Sequence, residues 1–443
     1  MKGEEDMYKK MSQELLTFLK KSPSTFHAVK TIAEELKQDG YQEIGEGDTW
    51  NLSAEGKYYV TRNDSSIIAF HVGKNLDDYS FNITASHSDF PTFKVKEKAE
   101  LEVKKKYIQL NTEGYGGMLC STWFDRPLSI AGRVLVKKDG HFETRLLDID
   151  RDLVMIPSMA IHMNRQVNDG YAYNKQVDTL PLFSCGEAAK GDFDKLIAKE
   201  LGVSESEIYG KDLYLYNRAE GTVWGAEEEF VSSQHLDDLQ CAFATLKGFL
   251  KGYNEKSVNV YACFDNEEVG SATKQGAGST FLYDVLRRIN GALEKTEEDY
   301  YRAVSSSFMV SADNAHAVHP NHPEKTDVEN CVYMNEGIVV KSHAGQKYTS
   351  DAVSVAVFKE ICERAGVPLQ FFANRSDEAG GSTLGNISST KVSLNAVDIG
   401  LPQLAMHSAY ETAGLKDTMY LVKAMEVFYN CHMDIKGGNI SLS

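Results

Sequence analysis

Apolar residues recur every three to four positions over residues 7–20 and again over 25–38, the spacing of two amphipathic helices. Ser24 stands where the second helix needs an N-cap, and Gly40 follows where it needs a stop. Four short runs then break this period: residues 81–86, 257–264, 306–312 and 401–406 are almost continuously apolar and rich in β-branched or aromatic side chains. Such runs predict strands buried on both faces. Between 93 and 230 the period drops to two, as in Phe93-Lys94-Val95-Lys96-Glu97 and in residues 133–140, which predicts antiparallel strands and hairpins, with one helix over 191–208. Helical spacing returns at 232–239 and continues through 241–249. The pattern predicts an α/β fold with a mainly parallel central sheet flanked by helices. Residues 1–92 and 231–443 form that discontinuous domain, and a β-rich domain over 93–230 is inserted into it. No internal repeat or low-complexity linker interrupts the chain.

Polar residues cluster where the apolar runs end. The run 257–264 leads into Asp265-Asn266-Glu267-Glu268-Val269-Gly270, two adjacent glutamates closed by a glycine suited to a sharp turn. Carboxylates leaving a buried strand need a cation beside them. The run 81–86 delivers His87 and Asp89, 306–312 delivers Asp313, and 401–406 delivers His407, while Asp237 opens a helix, an end that suits a carboxylate. Taken singly, a histidine is an ordinary polar side chain and an aspartate at a helix start is an ordinary cap. Taken together, two His, a bridging Asp, a further Asp, one Glu and a spare Glu match what two zinc ions require. In open α/β sheets the ligand crevice lies beyond the carboxyl ends of the strands, so the scattered segments are expected to converge there.

The chain resembles the aspartyl aminopeptidases, dinuclear zinc exopeptidases related to vacuolar aminopeptidase I. The resemblance is carried by Thr84-Ala85-Ser86-His87-Ser88-Asp89, His235-Leu236-Asp237-Asp238-Leu239, Asp265 through Ser271, Ser311-Ala312-Asp313-Asn314-Ala315-His316 and Ala405-Met406-His407-Ser408, in that order along the chain. It implies one zinc on His87, Asp313 and a shared Asp237, and a second on Asp237, Glu268 and His407, with Co or Mn also acceptable. Asp89 is expected to orient the His87 imidazole. Glu267 is expected to be the general base for a zinc-activated hydroxide that attacks the first peptide bond of substrates with a free amino terminus.

The same resemblance places His316, Lys341 and Tyr348 against the substrate. It makes Lys341 the partner of an acidic first residue, a preference for Asp or Glu. Without it, Lys341 and Tyr348 read as solvated loop groups. Met155-Ile156-Pro157-Ser158-Met159-Ala160-Ile161-His162 resembles the family segment whose histidine reaches a neighbouring subunit, so His162 is a candidate substrate contact in a homo-oligomer; family members often form tetrahedral dodecamers through the insertion. Residues alone read His162 as the end of an apolar strand. The chain departs from the family in His407-Ser408-Ala409-Tyr410-Glu411, where many members carry Arg after the histidine, at Lys347, where Arg is common, and over 377–383. These departures adjoin the substrate cleft and leave the ligand set whole.

Composition narrows the field. Lys and Arg total 47 against 64 Asp and Glu, a formal charge of −17, which argues against broad nucleic-acid or anionic-membrane binding. The 443 residues and 42% apolar content suit two soluble domains. Seven cysteines without regular spacing read as buried thiols, and a charged amino terminus without a membrane-length apolar run points to the cytoplasm. Two other readings stay open at this point. One is another two-metal amidohydrolase, such as a carboxypeptidase or deacylase; the other is a noncatalytic assembly or cargo protein on the same fold.

Overall fold

The computed structural model describes residues 2–186, 190–436 and 439–443. A nine-stranded sheet runs through its centre in the order Gln42–Glu43, Lys57–Arg62, Ser66–His71, Ser257–Phe264, Ser80–His87, Phe308–Ala312, Asn395–Gly400, Ile338–Ser342 and Leu369–Ala373. Five of the eight neighbouring pairs are parallel. The other three are antiparallel and flank the four parallel strands at the middle of the sheet.

The near-continuous apolar runs follow from cover on both faces. In Ser257–Phe264, Val258, Val260, Ala262 and Phe264 join one core with Phe281, Val285 and Ile289 of the helix Phe281–Ala292. Tyr261 and Cys263 point the other way, into a core with Leu15, Leu239, Phe243 and Phe249. That second core is roofed by the helices Lys2–Lys20, Thr25–Gln38, Leu236–Lys251, Ala352–Ala365 and Asp417–Asn430. The Ser24 hydroxyl accepts the His27 N–H and caps the second of these helices.

A six-stranded sheet, entirely antiparallel, holds the strands His141–Asp148, Leu128–Lys138, Ile208–Asn217, Thr92–Val103, Tyr107–Tyr115 and Leu182–Cys185. It has its own core, in which Phe193 and Ile197 of the helix Asp192–Leu201 pack with Phe93, Trp123, Val134 and Leu213. A third sheet joins distant segments in the order Thr222–Trp224, Phe230–Ser233, Glu411–Gly414, Pro402–Leu404 and Ala315–His316.

That third sheet corrects one expectation. The run 401–406 is not a strand of the central sheet. The central strand is Asn395–Gly400, and Pro402–Leu404 turns away to pair with Glu411–Gly414. Pro402 lacks the N–H that a continued central strand would donate. His407 is therefore delivered by a loop with φ of +56° at Ala405 and +66° at His407, rather than by a strand end.

Candidate metal centre

The register of the central strands aligns the candidate ligands. Phe264 lies opposite His87, and Ser311 lies opposite Ala85, so His87, the Glu267–Glu268 turn and Asp313 leave the same edge of the sheet. Asn266 and Gly270, both with positive φ, bracket the short 3-10 turn Glu267–Val269 that reverses the chain. Asp237 arrives from a helix packed on one face of the sheet. It sits in the first turn of Leu236–Lys251 but keeps an extended ψ of 110°, so its carboxylate faces the sheet edge instead of capping the helix.

Five residues far apart in sequence meet here. His87, Asp237 and Asp313 each present a ligand atom, all within 4.8 Å of one another, and so do Asp237, Glu268 and His407. Asp237 belongs to both groups: its Oδ1 lies 3.6 Å from Nε2 of His87 and its Oδ2 lies 3.5 Å from Nε2 of His407. Nε2 of His87 is 3.8 Å from Oδ1 of Asp313, and Nε2 of His407 is 3.3 Å from Oε1 of Glu268. A third grouping, His87, Glu267 and Glu268, sets Glu267 beside both.

The tautomers are fixed from outside. Nδ1 of His87 lies 3.0 Å from the carbonyl of Asp89, and Nδ1 of His407 lies 2.7 Å from the carbonyl of Gly117, so both Nε2 atoms are left to face the carboxylates. Asp237 Oδ1 and Glu268 Oε1 are buried without a hydrogen-bond donor. Buried anionic oxygens left unpaired among imidazole lone pairs fit a divalent cation, and this mixed N/O donor set is of the kind zinc takes. The electrostatics agree. Burial alone would lower the His407 imidazole, but Asp237 and Glu268 push it up to about 10, and His87 is likewise raised by Asp237 and Asp313. Burial raises Glu268 well above the ordinary glutamate value and Glu267 to about 8. Asp237 is held low against its own burial by His407 and His87. Asp237, Asp313, Glu267 and Glu268 outnumber the two imidazoles among them, an excess of carboxylate that a divalent cation would offset.

Asp89 meets Nδ1 of His87 through both its carbonyl and its carboxylate. Its carbonyl, not its carboxylate, makes the closer contact with His87; Oδ1 stands 3.4 Å from Nδ1. The carboxylate accepts the backbone N–H of Glu267 at 3.1 Å and of Glu268 at 3.2 Å, and the Tyr115 hydroxyl at 2.7 Å. Two contributors from the strand Tyr107–Tyr115 and its exit, Tyr115 and Gly117, had no signal in the sequence. Nor did Asp238, which accepts the N–H of His87 at 3.0 Å.

The candidate substrate residues divide. Lys341 and Tyr348 are buried, against the expectation of solvated loop groups. Lys341 lies in the strand Ile338–Ser342 with its ammonium 3.6 Å from Oδ2 of Asp313 and 5.6 Å from the Tyr348 ring centre. His316 is exposed and lines a cavity of about 280 Å3 with Phe372, Arg375, Gln403 and Met406, the last next to His407. His162 is exposed in the turn after Ala160, and it is not among the groupings of the centre.

A family model described as aminopeptidase I zinc metalloprotease (M18) matches residues 18–429. The chain belongs to the M18 family. It is accordingly a zinc-dependent aminopeptidase. Relatives named "Probable M18 family aminopeptidase 2" occur in Clostridium novyi, 48% identical over 95% of this chain and 99% of that one, and in Clostridium acetobutylicum, 49% identical over 97% and 100%. The fold is shared with the mApe1 dodecamer of S. cerevisiae, 28% identical with a TM-score of 0.83 over 95% of this M18 chain and 97% of that one.

Proposed function

We propose that this M18 aminopeptidase holds one zinc on His87, Asp237 and Asp313 and a second on Asp237, Glu268 and His407, with Glu267 as general base. The sharing of Asp237, whose two oxygens face different imidazoles, is the observation that carries this reading. When bound, such a metal pair acidifies water and polarises the scissile carbonyl. Glu267 takes the proton of the attacking water and returns it to the departing amine. Asp89 holds Glu267 and Glu268 by their backbone N–H groups, so the base and the ligand beside it stay in fixed relation. The carboxylate-rich floor receives the free α-ammonium of the substrate. Co and Mn suit the same oxygen and nitrogen donors.

A preference for acidic first residues rests on Lys341, whose buried ammonium a substrate carboxylate would share with Asp313. Assembly through the insertion is supported by the dodecameric relative and by the solvent-exposed side chains of Met159, Ile161 and Met163 around His162. In such an assembly His162 would enter a neighbour's cleft. Among the described residues no helix is long and apolar enough to cross a membrane, and a cytoplasmic location is supported by cysteines that are all free.

The test is hydrolysis by the zinc-loaded protein of peptides beginning with Asp, Glu, Leu or Lys, each with a free or acetylated amino terminus. Cleavage of free termini alone, fastest for Asp and Glu, is expected. A preference for Leu removes the Lys341 pocket but keeps the mechanism, whereas equal cleavage of acetylated peptides removes the ammonium recognition.

A further inference from the structure

Glu411 is buried and opens the strand Glu411–Gly414, which lies between two others in the third sheet. Both neighbours run antiparallel to it. Ser233 pairs with Glu411 itself, and Leu404 pairs with Thr412. The chain segments leaving Phe230–Ser233 and Pro402–Leu404 therefore emerge at the same end of the sheet, where Glu411 stands. The first leads to Asp237 and the second to His407.

The Glu411 carboxylate spans that gap. Oε2 accepts the backbone N–H of Asp237 at 3.0 Å, and Oε1 accepts the backbone N–H of His407 at 2.7 Å. Each oxygen thus holds one of two loops whose side chains face each other at 3.5 Å. Neither loop has regular backbone at the critical residue, since Asp237 is non-helical within its helix and His407 has a φ of +66°. A regular hydrogen-bond ladder cannot set their separation, and the carboxylate does so instead.

We infer that Glu411 is a positioning residue that sets the separation of Asp237 and His407 and so determines the zinc affinity of the site they share. This rests on the ligand set proposed above. Glu411 acts through the two segments it holds, by accepting their backbone N–H groups. Its replacement by the isosteric Gln keeps the volume and one acceptor, but turns an amide NH2 toward one of the two N–H groups.

Glu411→Gln and His407→Ala are compared with the parent protein by zinc titration against a competing chelator, and by thermal melting with and without zinc. Glu411→Gln is expected to weaken one of the two zinc sites about 10- to 100-fold, the usual effect of removing a group that orients a ligand. The site on His87 and Asp313, which shares Asp237 but not His407, should weaken less. Without zinc, Glu411→Gln should melt below the parent temperature, because one backbone N–H loses its acceptor; with zinc the difference should widen, because the variant gains less from the metal. Parent-like zinc affinity in Glu411→Gln, while His407→Ala loses one zinc, overturns the positioning role and leaves the ligand set standing. Equal loss of melting temperature with and without zinc, at unchanged affinity, assigns Glu411 to ordinary strand stability and also overturns it. If His407→Ala itself binds two zinc ions like the parent, the ligand set fails, and this inference falls with it.

Discussion

Replacing Asp89 by Asn separates two roles for this carboxylate. The side chain is buried, and the substitution conserves its shape. Asn keeps one oxygen and presents an NH2 at the other position, so one of the two backbone N–H groups, of Glu267 at 3.1 Å or Glu268 at 3.2 Å, loses its acceptor. A buried unsatisfied donor costs about 1–3 kcal/mol, and the one surviving backbone contact loses about 1 kcal/mol as the acceptor becomes neutral. If these terms fall on the placement of Glu267 and Glu268, the total is about 2–4 kcal/mol, or roughly 30- to 1000-fold at about 1.4 kcal/mol per decade. We expect kcat/KM at saturating zinc to fall by that range. Zinc on the Glu268 and His407 side should weaken, while the His87 and Asp313 side is spared, because His87 leans on the Asp89 carbonyl that Asn retains. Chelator-competed zinc titration, with His87→Ala and His407→Ala marking the two sites, reads this directly. A parent-like kcat/KM refutes the clamp. Loss confined to the His87 side shows instead that the carboxylate acts through the imidazole.

Three further outcomes are expected. Glu267→Gln should bind the parent's complement of zinc yet lose about 10²- to 10⁴-fold in kcat, measured on an amino-terminally free peptide; retained turnover removes the base. Gly116→Ala should lower both melting temperature and zinc affinity, because φ is +72° and a new Cβ would stand 3.2 Å from Cβ of Glu268, with a conformational cost of about 1–2 kcal/mol before any clash; an unshifted zinc titration argues against close packing of that turn on Glu268. Burial and Lys30 lower the His27 imidazole to about 4, so the folded state holds it neutral. The stability this gives is complete above pH 6.5 and is lost as the pH falls from 6.5 toward 4, by about 3 kcal/mol at most. Urea midpoints of the parent and His27→Gln should therefore converge or cross over that window, and parallel curves would refute it.

Much of this protein was legible in the chain because the relevant signals are local. Continuous apolar runs marked strands covered on both faces, and Ser257–Phe264 and Ser80–His87 lie side by side with the cores that such runs require. The residues that leave those runs, His87, Glu267, Glu268 and Asp313, gather because parallel strands end at one edge, a consequence of topology that the strand pattern already implies. What only the tertiary structure decided is how the remaining ligands are aimed. His407 sits in a loop that follows a short strand of a separate sheet, since Pro402 cannot continue the central ladder. The carbonyl of Gly117 fixes its tautomer across 290 residues, and Glu411 reaches the N–H of Asp237 across 174. Lys341, in a segment that resembles a solvated loop, is buried against Asp313. Backbone carbonyls and N–H groups are the same in every residue, so contacts made through them leave no mark in a sequence. They exist only once the sheets have brought distant segments within hydrogen-bonding distance.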